Sequence, residues 1–304
     1  MNFSQFEIEI TDILSERLKG ECEVLPTDVR KNNDTFLRGL RFVRKDRILQ
    51  PTIYLDNYYR MYEEGRDIRL IADVIIADYR GAAIEDTPDL SFLNDYSAMK
   101  DRIVCKLINA SKNKALLKEV PHVLFLDLAA VFYCRIELPG SGEGSTLIHN
   151  YSFEQWGISV GEMYRDALKN NERLLGGKAT PIATVLQEIW AKLKGADSQA
   201  PCDFPEEAFK VPMFVLTNRL GLNGAACMLN NSLLKEFSDD HGGDFFIIPS
   251  SVHELILLPA DRKETASELK EIVKTINRTE LPKADILSDE VYFYNREKNA
   301  VVMA

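Results

Sequence analysis

The sequence predicts an α+β fold, with antiparallel or mixed sheets and helices packed mainly on one face in two-layer units. Three observations carry this. Apolar residues recur at helical spacing in some segments (Phe6, Ile10, Ile13, Leu14, Leu18) and alternate in others, as between Thr35 and Arg44. The last hundred residues read ββα-ββα-ββ, with too few helices to cover both faces of a large sheet. The 304-residue chain is 45% hydrophobic and 28% charged, which excludes a disordered or collagen-like polymer.

Ser4 and Glu7 are spaced as a capping box for a first helix that runs to Gly20. Extended segments are expected over 22–29, 35–44 and 48–55, with Lys45-Asp46-Arg47 as a turn. Pro51 lacks an amide donor and places the third segment at an edge. Asp56 is positioned to cap a short helix bearing Tyr58, Tyr59 and Tyr62, and Asp67 a longer one carrying Ile68, Ile71, Ala72, Ile75 and Tyr79. Residues 81–95 read as a connection. A strand is predicted over 102–108, a short helix over 113–119 and one long strand over 123–138. The glycine-rich turn 140–144 then leads back into 145–149 as a hairpin.

Ser159 with Glu162 opens another helix, which ends at Gly176-Gly177. Thr180-Pro181 opens the next, with Ile182, Val185, Leu186, Ile189 and Trp190 as a buried stripe. Residues 196–205 carry two prolines among small polar residues and read as a linker. It separates an N-terminal α+β domain over 1–195 from a C-terminal one over 206–304. Within the latter, strands are expected over 213–217, 225–229, 245–248, 253–258, 291–294 and 300–303, and helices over 232–240 and 265–276.

The formal net charge is −10 and the acidic excess is spread along the chain. No basic arm is available to neutralise a phosphate backbone, which argues against nucleic acid as a partner. The run Arg38, Arg41, Arg44, Lys45 and Arg47 is the strongest basic cluster, and it keeps a nucleic-acid-associated accessory role as a third reading. Five scattered cysteines without a CxxC pair indicate reduced thiols. No signal peptide or bilayer-length apolar run is visible, so a cytoplasmic location with no membrane partner is expected.

Among chemistry-bearing residues, Ser250-Ser251-Val252-His253-Glu254 stands out. Ser251 and His253 would share one strand face, so a small-molecule hydrolase using His253 with Ser251 or Glu254 near an interdomain cleft, helped by Asp244, is the alternative reading. The plainer reading is a polar bend entering a strand, because same-face neighbours sit too far apart for a nucleophile–base bond and no GxSxG elbow is present. The turn at 140–144 lacks the GK[ST] of a phosphate loop, and four dispersed histidines form no zinc motif, so no cofactor or metal is expected. Asp127 lies in an apolar run, so it is either solvated or bonded, for instance to an arginine. Tyr58 and Tyr62 share a helical face that offers a partner surface. Asn223 and Gly224 flank a tight connection, explained by turn geometry before any ligand.

Several stretches resemble the DUF5688 proteins of gut Firmicutes: Lys31-Asn32-Asn33-Asp34, 51–55 with Tyr58 and Tyr62, 125–129, 223–226, 243–254, and Leu287-Ser288-Asp289 with Val291-Tyr292. The resemblance covers most of the chain and implies a bacterial, host-associated source. It carries no reaction, cofactor or catalytic residue. The function expected is therefore that of a non-catalytic interaction or regulatory protein, working with a protein partner or a second copy of itself.

Overall fold

The computed structural model describes residues 1–47, 49–82, 90–138, 142–194, 212–260 and 265–304, except for the side chains of Leu138, Gly142 and residues 192–194. The expected linker, Cys202 and the first residues of the glycine-rich turn lie outside the described residues. Two compact units emerge, one of residues 1–91 with 136–144, the other of residues 92–135 with 145–304. This division differs from the expected boundary at 196–205. Composition marks where little packs, but it is blind to strands that pair across such a segment.

In the first unit, helix α1 (Phe3–Arg17) opens with a capping box two residues upstream of the expected one. The Asn2 side chain accepts from the Gln5 amide and the Gln5 side chain accepts from the Asn2 amide, both at 3.0 Å. Ser4 and Glu7 are instead bonded by the Arg38 guanidinium, at 3.0 and 3.4 Å. Strands β1 (Glu23–Arg30), β2 (Phe36–Val43) and β3 (Thr52–Tyr54) form an antiparallel sheet in that order, with Val24 opposite Phe42 and Leu40 opposite Ile53. A Cβ at Gly39 would lie 2.8 Å from the Ile53 carbonyl oxygen, so only glycine lets β3 approach β2 at this point.

Helices α2 (Asp56–Glu63) and α3 (Ile68–Ala82) follow. Asp56 is the first residue of α2 rather than its cap, whereas Asp67 does cap α3 by accepting from the Arg69 amide at 2.8 Å. The apolar stripes of α1 (Phe6, Ile10, Leu14) and α3 (Ile71, Ile75, Tyr79) meet Leu40 and Phe42 in one core. Phe42 stacks on Tyr79 with ring centroids 4.4 Å apart. Each such side chain contributes about 1.5–3 kcal/mol on burial.

The second unit begins with α4 (Tyr96–Met99), β4 (Ile103–Asn109) and α5 (Lys114–Leu117). The single strand expected over 123–138 is two, β5 (His122–Phe125) and β6 (Leu128–Leu138), paired antiparallel. The chain reverses between them at Leu126, which adopts φ of 56°, a conformation sequence patterning rarely assigns to leucine. Strand β7 (Gly142–Leu147) pairs with β6, and β4-β6-β5 completes a four-stranded antiparallel sheet.

Helix α6 (Asn150–Gln155) precedes α7 (Val160–Asn170), which opens with the predicted Ser159–Glu162 capping box and closes through a π turn at Gly176. Thr180 and Pro181 end strand β8 (Lys178–Pro181) rather than starting helix α8 (Ile182–Lys194). Ile189 and Trp190, expected in a buried stripe on α8, are exposed.

Strand β9 (Phe214–Thr217) lies beyond 196–205 yet pairs with β8. Residues 225–229, expected as a strand, lie in a 3-10 turn (Gly224–Leu229) leading into α9 (Asn231–His241). Strands β10 (Phe245–Pro249) and β11 (Leu255–Pro259), helix α10 (Ala266–Thr279) and the hairpin β12 (Tyr292–Asn295) and β13 (Ala300–Met303) complete the unit. The sheet order is β13-β12-β10-β11-β9-β8, antiparallel throughout.

Alternation along β10 sends Phe245 and Ile247 into the main core with Cys105 and Phe132 of the smaller sheet, Met163 of α7 and Phe237 of α9. Phe246 and Ile248 face the other way, beside Leu258 and the α10 residues Leu269 and Val273.

Candidate functional site

The segment singled out by sequence, 250–254, is a tight bend joining β10 to β11. Strand β11 starts at Leu255, so Ser251 and His253 are not strand neighbours. The Ser251 amide donates to the Glu254 carbonyl at 3.1 Å, and the Ser251 hydroxyl oxygen accepts from the His253 amide at 3.0 Å. The Ser250 hydroxyl donates to the Glu254 carboxylate at 3.2 Å. These bonds close the bend on itself, as serine side chains do in polar turns.

His253 is held from three directions. Its Nδ1 accepts from the Asn223 amide at 3.1 Å, its Nε2 lies 3.6 Å from the Asp285 carboxylate, and its carbonyl accepts from the Thr217 hydroxyl at 2.8 Å. A backbone amide only donates, so Nδ1 carries the lone pair and the neutral ring carries its hydrogen on Nε2, facing Asp285. A general base needs its lone pair aimed at a nucleophile. Here that lone pair is already taken by Asn223, and Ser251 points its oxygen at a backbone amide.

Asn223 and Gly224 belong to the same knot. Asn223 adopts φ of 54°, which asparagine tolerates, and this turns its amide toward the imidazole. A Cβ on Gly224 would fall 2.1 Å from the Thr217 hydroxyl and 2.4 Å from the His253 carbonyl oxygen. The amides of Val252 and Ala225 bond the carbonyls of Asp285 and Val252, at 2.8 and 3.3 Å, tying the bend to residues 224–229 and to 285.

The other sequence candidates fall elsewhere. Asp244 sits at the opposite end of β10 from His253, and its carboxylate accepts from the Arg296 amide at 2.8 Å. Tyr58 donates to Asp78, and burial together with that bond raises its phenol. Tyr62 packs on Phe6 with centroids 5.6 Å apart. In the basic run, Arg38 engages Glu7 while Arg44 and Arg47 flank Asp46, so three of its cations have local counter-charges.

Asp127 is bonded, but not to arginine. It accepts from the Ser288 hydroxyl at 2.6 Å and the Tyr292 hydroxyl at 2.8 Å. Nearby, Asn109 donates to the Leu287 carbonyl at 3.1 Å, Lys112 pairs with Asp289 at 3.0 Å and Asn277 donates to the Ser288 carbonyl at 2.9 Å. Together these residues clamp the 287–289 segment. Tyr292 is buried, and burial followed by the Asp127 charge raises its phenol far above the ordinary value.

Sequence reading also missed a cavity of about 190 Å³ enclosed by the end of α7, the π turn, the 224–229 turn and the start of α9. Its walls come from segments fifty residues apart, and no single motif announces it. Among the described residues no group of three His, Cys, Asp or Glu is placed to hold a metal ion.

The antiparallel sheets, the interleaved helices and the locked bend define a class, an α+β protein with no helix among the described residues long and apolar enough to cross a membrane. The chain belongs to the family of unknown function DUF5688, whose profile matches residues 3–296. No curated protein and no solved structure matches it.

Proposed function

We propose that the protein is a non-catalytic interaction or regulatory protein of the bacterial cytoplasm, acting by binding a partner protein or a second copy of itself. The observation that carries this reading is the double engagement of His253, by the Asn223 amide on Nδ1 and by Asp285 beside Nε2. An imidazole so fixed organises backbone and takes no proton from Ser251, whose oxygen is turned to the His253 amide. The alternative as a hydrolase through His253, Ser251 or Glu254 loses its general base by the same geometry. Four described cysteines, three of them buried and all unpaired, suit a reducing compartment.

Incubating the full chain with a fluorophosphonate probe tests the reading. The expected result is no labelling of Ser251 in the folded protein. Stoichiometric labelling there, lost in His253→Ala, would overturn it and restore the hydrolase.

A further inference from the structure

The cavity bordered by α7 and α9 has a composition that selects a ligand. Its buried wall is mainly apolar, with Leu175, Ala226, Cys227 and Leu229 beside the half-buried Leu168, while the exposed Asn231 and Ser232 border it at the start of α9. Two charged side chains, Lys169 and Glu172, also line it. They lie three residues apart where α7 passes into the π turn, a spacing that brings side chains to one side of the chain. Neither makes an ion pair among the described residues, with the other or with a third group. Both are exposed, so solvent now satisfies them.

One cation and one anion at the rim of an apolar recess match a molecule that carries one of each beside a hydrocarbon tail. The volume of about 190 Å³ lies below the roughly 300–1,000 Å³ of sites for drug-sized ligands, which sets an upper bound on size. Away from the mouth, where Asn231 and Ser232 are exposed, the polar groups of the wall are mostly engaged: Asn230 Oδ1 accepts from the Leu233 amide at 3.1 Å. Asn171 is committed to the Cys105 backbone at 3.0 and 2.9 Å, and Asn218 bonds the Leu222 carbonyl and the Leu220 amide at 2.8 and 3.0 Å. A polar tail would therefore be desolvated without compensation, whereas an aliphatic one would not.

We propose that this cavity binds a free aliphatic α-amino acid as its zwitterion, with the carboxylate on Lys169, the ammonium on Glu172 and the side chain among the three leucines. The site stands independently of the non-catalytic reading, because it involves neither His253 nor Ser251. Both rim side chains are flexible and exposed, so affinity in the micromolar to millimolar range is expected.

The test is calorimetric titration of the full chain with L-leucine, leucinamide (no carboxylate) and 4-methylpentanoate (no ammonium), with thermal shift in parallel. L-leucine is expected to bind saturably and raise the melting temperature, with each analogue at least tenfold weaker. Lys169→Met and Glu172→Gln, both at solvent-exposed positions that leave the core intact, are each expected to weaken L-leucine at least tenfold. Ala226→Leu, which intrudes on the cavity wall, should abolish binding, and its unliganded melting curve reports whether it folds. No saturable binding of L-leucine up to 10 mM, roughly the weak limit for a specific small-ligand site, overturns the proposal. So does equal binding of either analogue, or binding that survives both rim substitutions.

Discussion

The Asp127 carboxylate accepts the Ser288 hydroxyl at 2.6 Å although the two residues are 161 positions apart in the chain. The same carboxylate accepts the Tyr292 hydroxyl at 2.8 Å. One acidic residue at a strand reversal thus anchors the segment that leads into β12. Ser288 is 1% exposed and Tyr292 fully buried, so their hydroxyls have no water to fall back on.

Asp127→Ala is expected to destabilise the fold by about 1–3 kcal/mol for each hydroxyl left without an acceptor. Asp127→Asn keeps one carbonyl oxygen and should cost less. Urea unfolding of the two variants checks the order, and equal midpoints for Asp127→Ala and the wild type would contradict it.

Gly224→Ala brings a methyl group against the Thr217 hydroxyl and the His253 carbonyl, at 2.1 and 2.4 Å from where they stand. Backbone must move, at a cost of about 1–3 kcal/mol or more. Gly161, in the first turn of α7, has nothing nearer than 4.0 Å to its position for a methyl. Gly161→Ala should therefore be neutral or stabilise by up to about 1 kcal/mol. Melting temperatures of the pair should move in opposite directions or differ by several degrees.

Burial raises the Cys105 thiol to about 12 and the Cys134 and Cys227 thiols to about 11, against about 9 in an unfolded chain. Above pH 9 the unfolded chain releases thiol protons that the folded one retains. Stability is therefore complete below pH 9 and falls as pH rises toward 11–12. A triple Cys→Ser or Cys→Ala variant should show a flatter alkaline limb. At pH 8, Ellman's reagent should react slowly with these three thiols until denaturant is added.

Asp289 is lowered: burial pushes it up, but the Asn277 bond and the Lys112 cation outweigh burial. A carboxylate depressed in the folded state stabilises it above the unfolded value of about 3.8, and that stabilisation disappears as pH falls through the lower folded value. Asp289→Asn should be less stable than the wild type at pH 7, and the gap should close as pH falls below the unfolded value of about 3.8. Acid titration of unfolding free energy for both proteins reads this out.

Some of these elements were legible in the sequence because their determinants are local. The Ser159–Glu162 box forms as its spacing predicts, and the alternation over 35–44 marks a strand that runs from Phe36 to Val43. At the N-terminus the box shifts to Asn2–Gln5 because Arg38, brought from β2, claims Ser4 and Glu7. The break at Leu126 was hidden because leucine gives no turn signal, and Ala225–Leu229 reads as apolar strand although it packs as a 3-10 turn. At the bend, the polar turn was readable from its serines, but the orientation of the His253 imidazole was not, because it depends on Asn223 and Asp285, thirty and thirty-two residues away in either direction.

The tautomer of His253 tests the central claim most directly. Two-dimensional ¹⁵N–¹H correlation of the imidazole should show hydrogen on Nε2 and an unprotonated Nδ1 hydrogen-bonded to the Asn223 amide. A ring protonated on Nδ1, or one exchanging rapidly between both forms, would mean that Asn223 does not hold it and that His253 is free to act as a base.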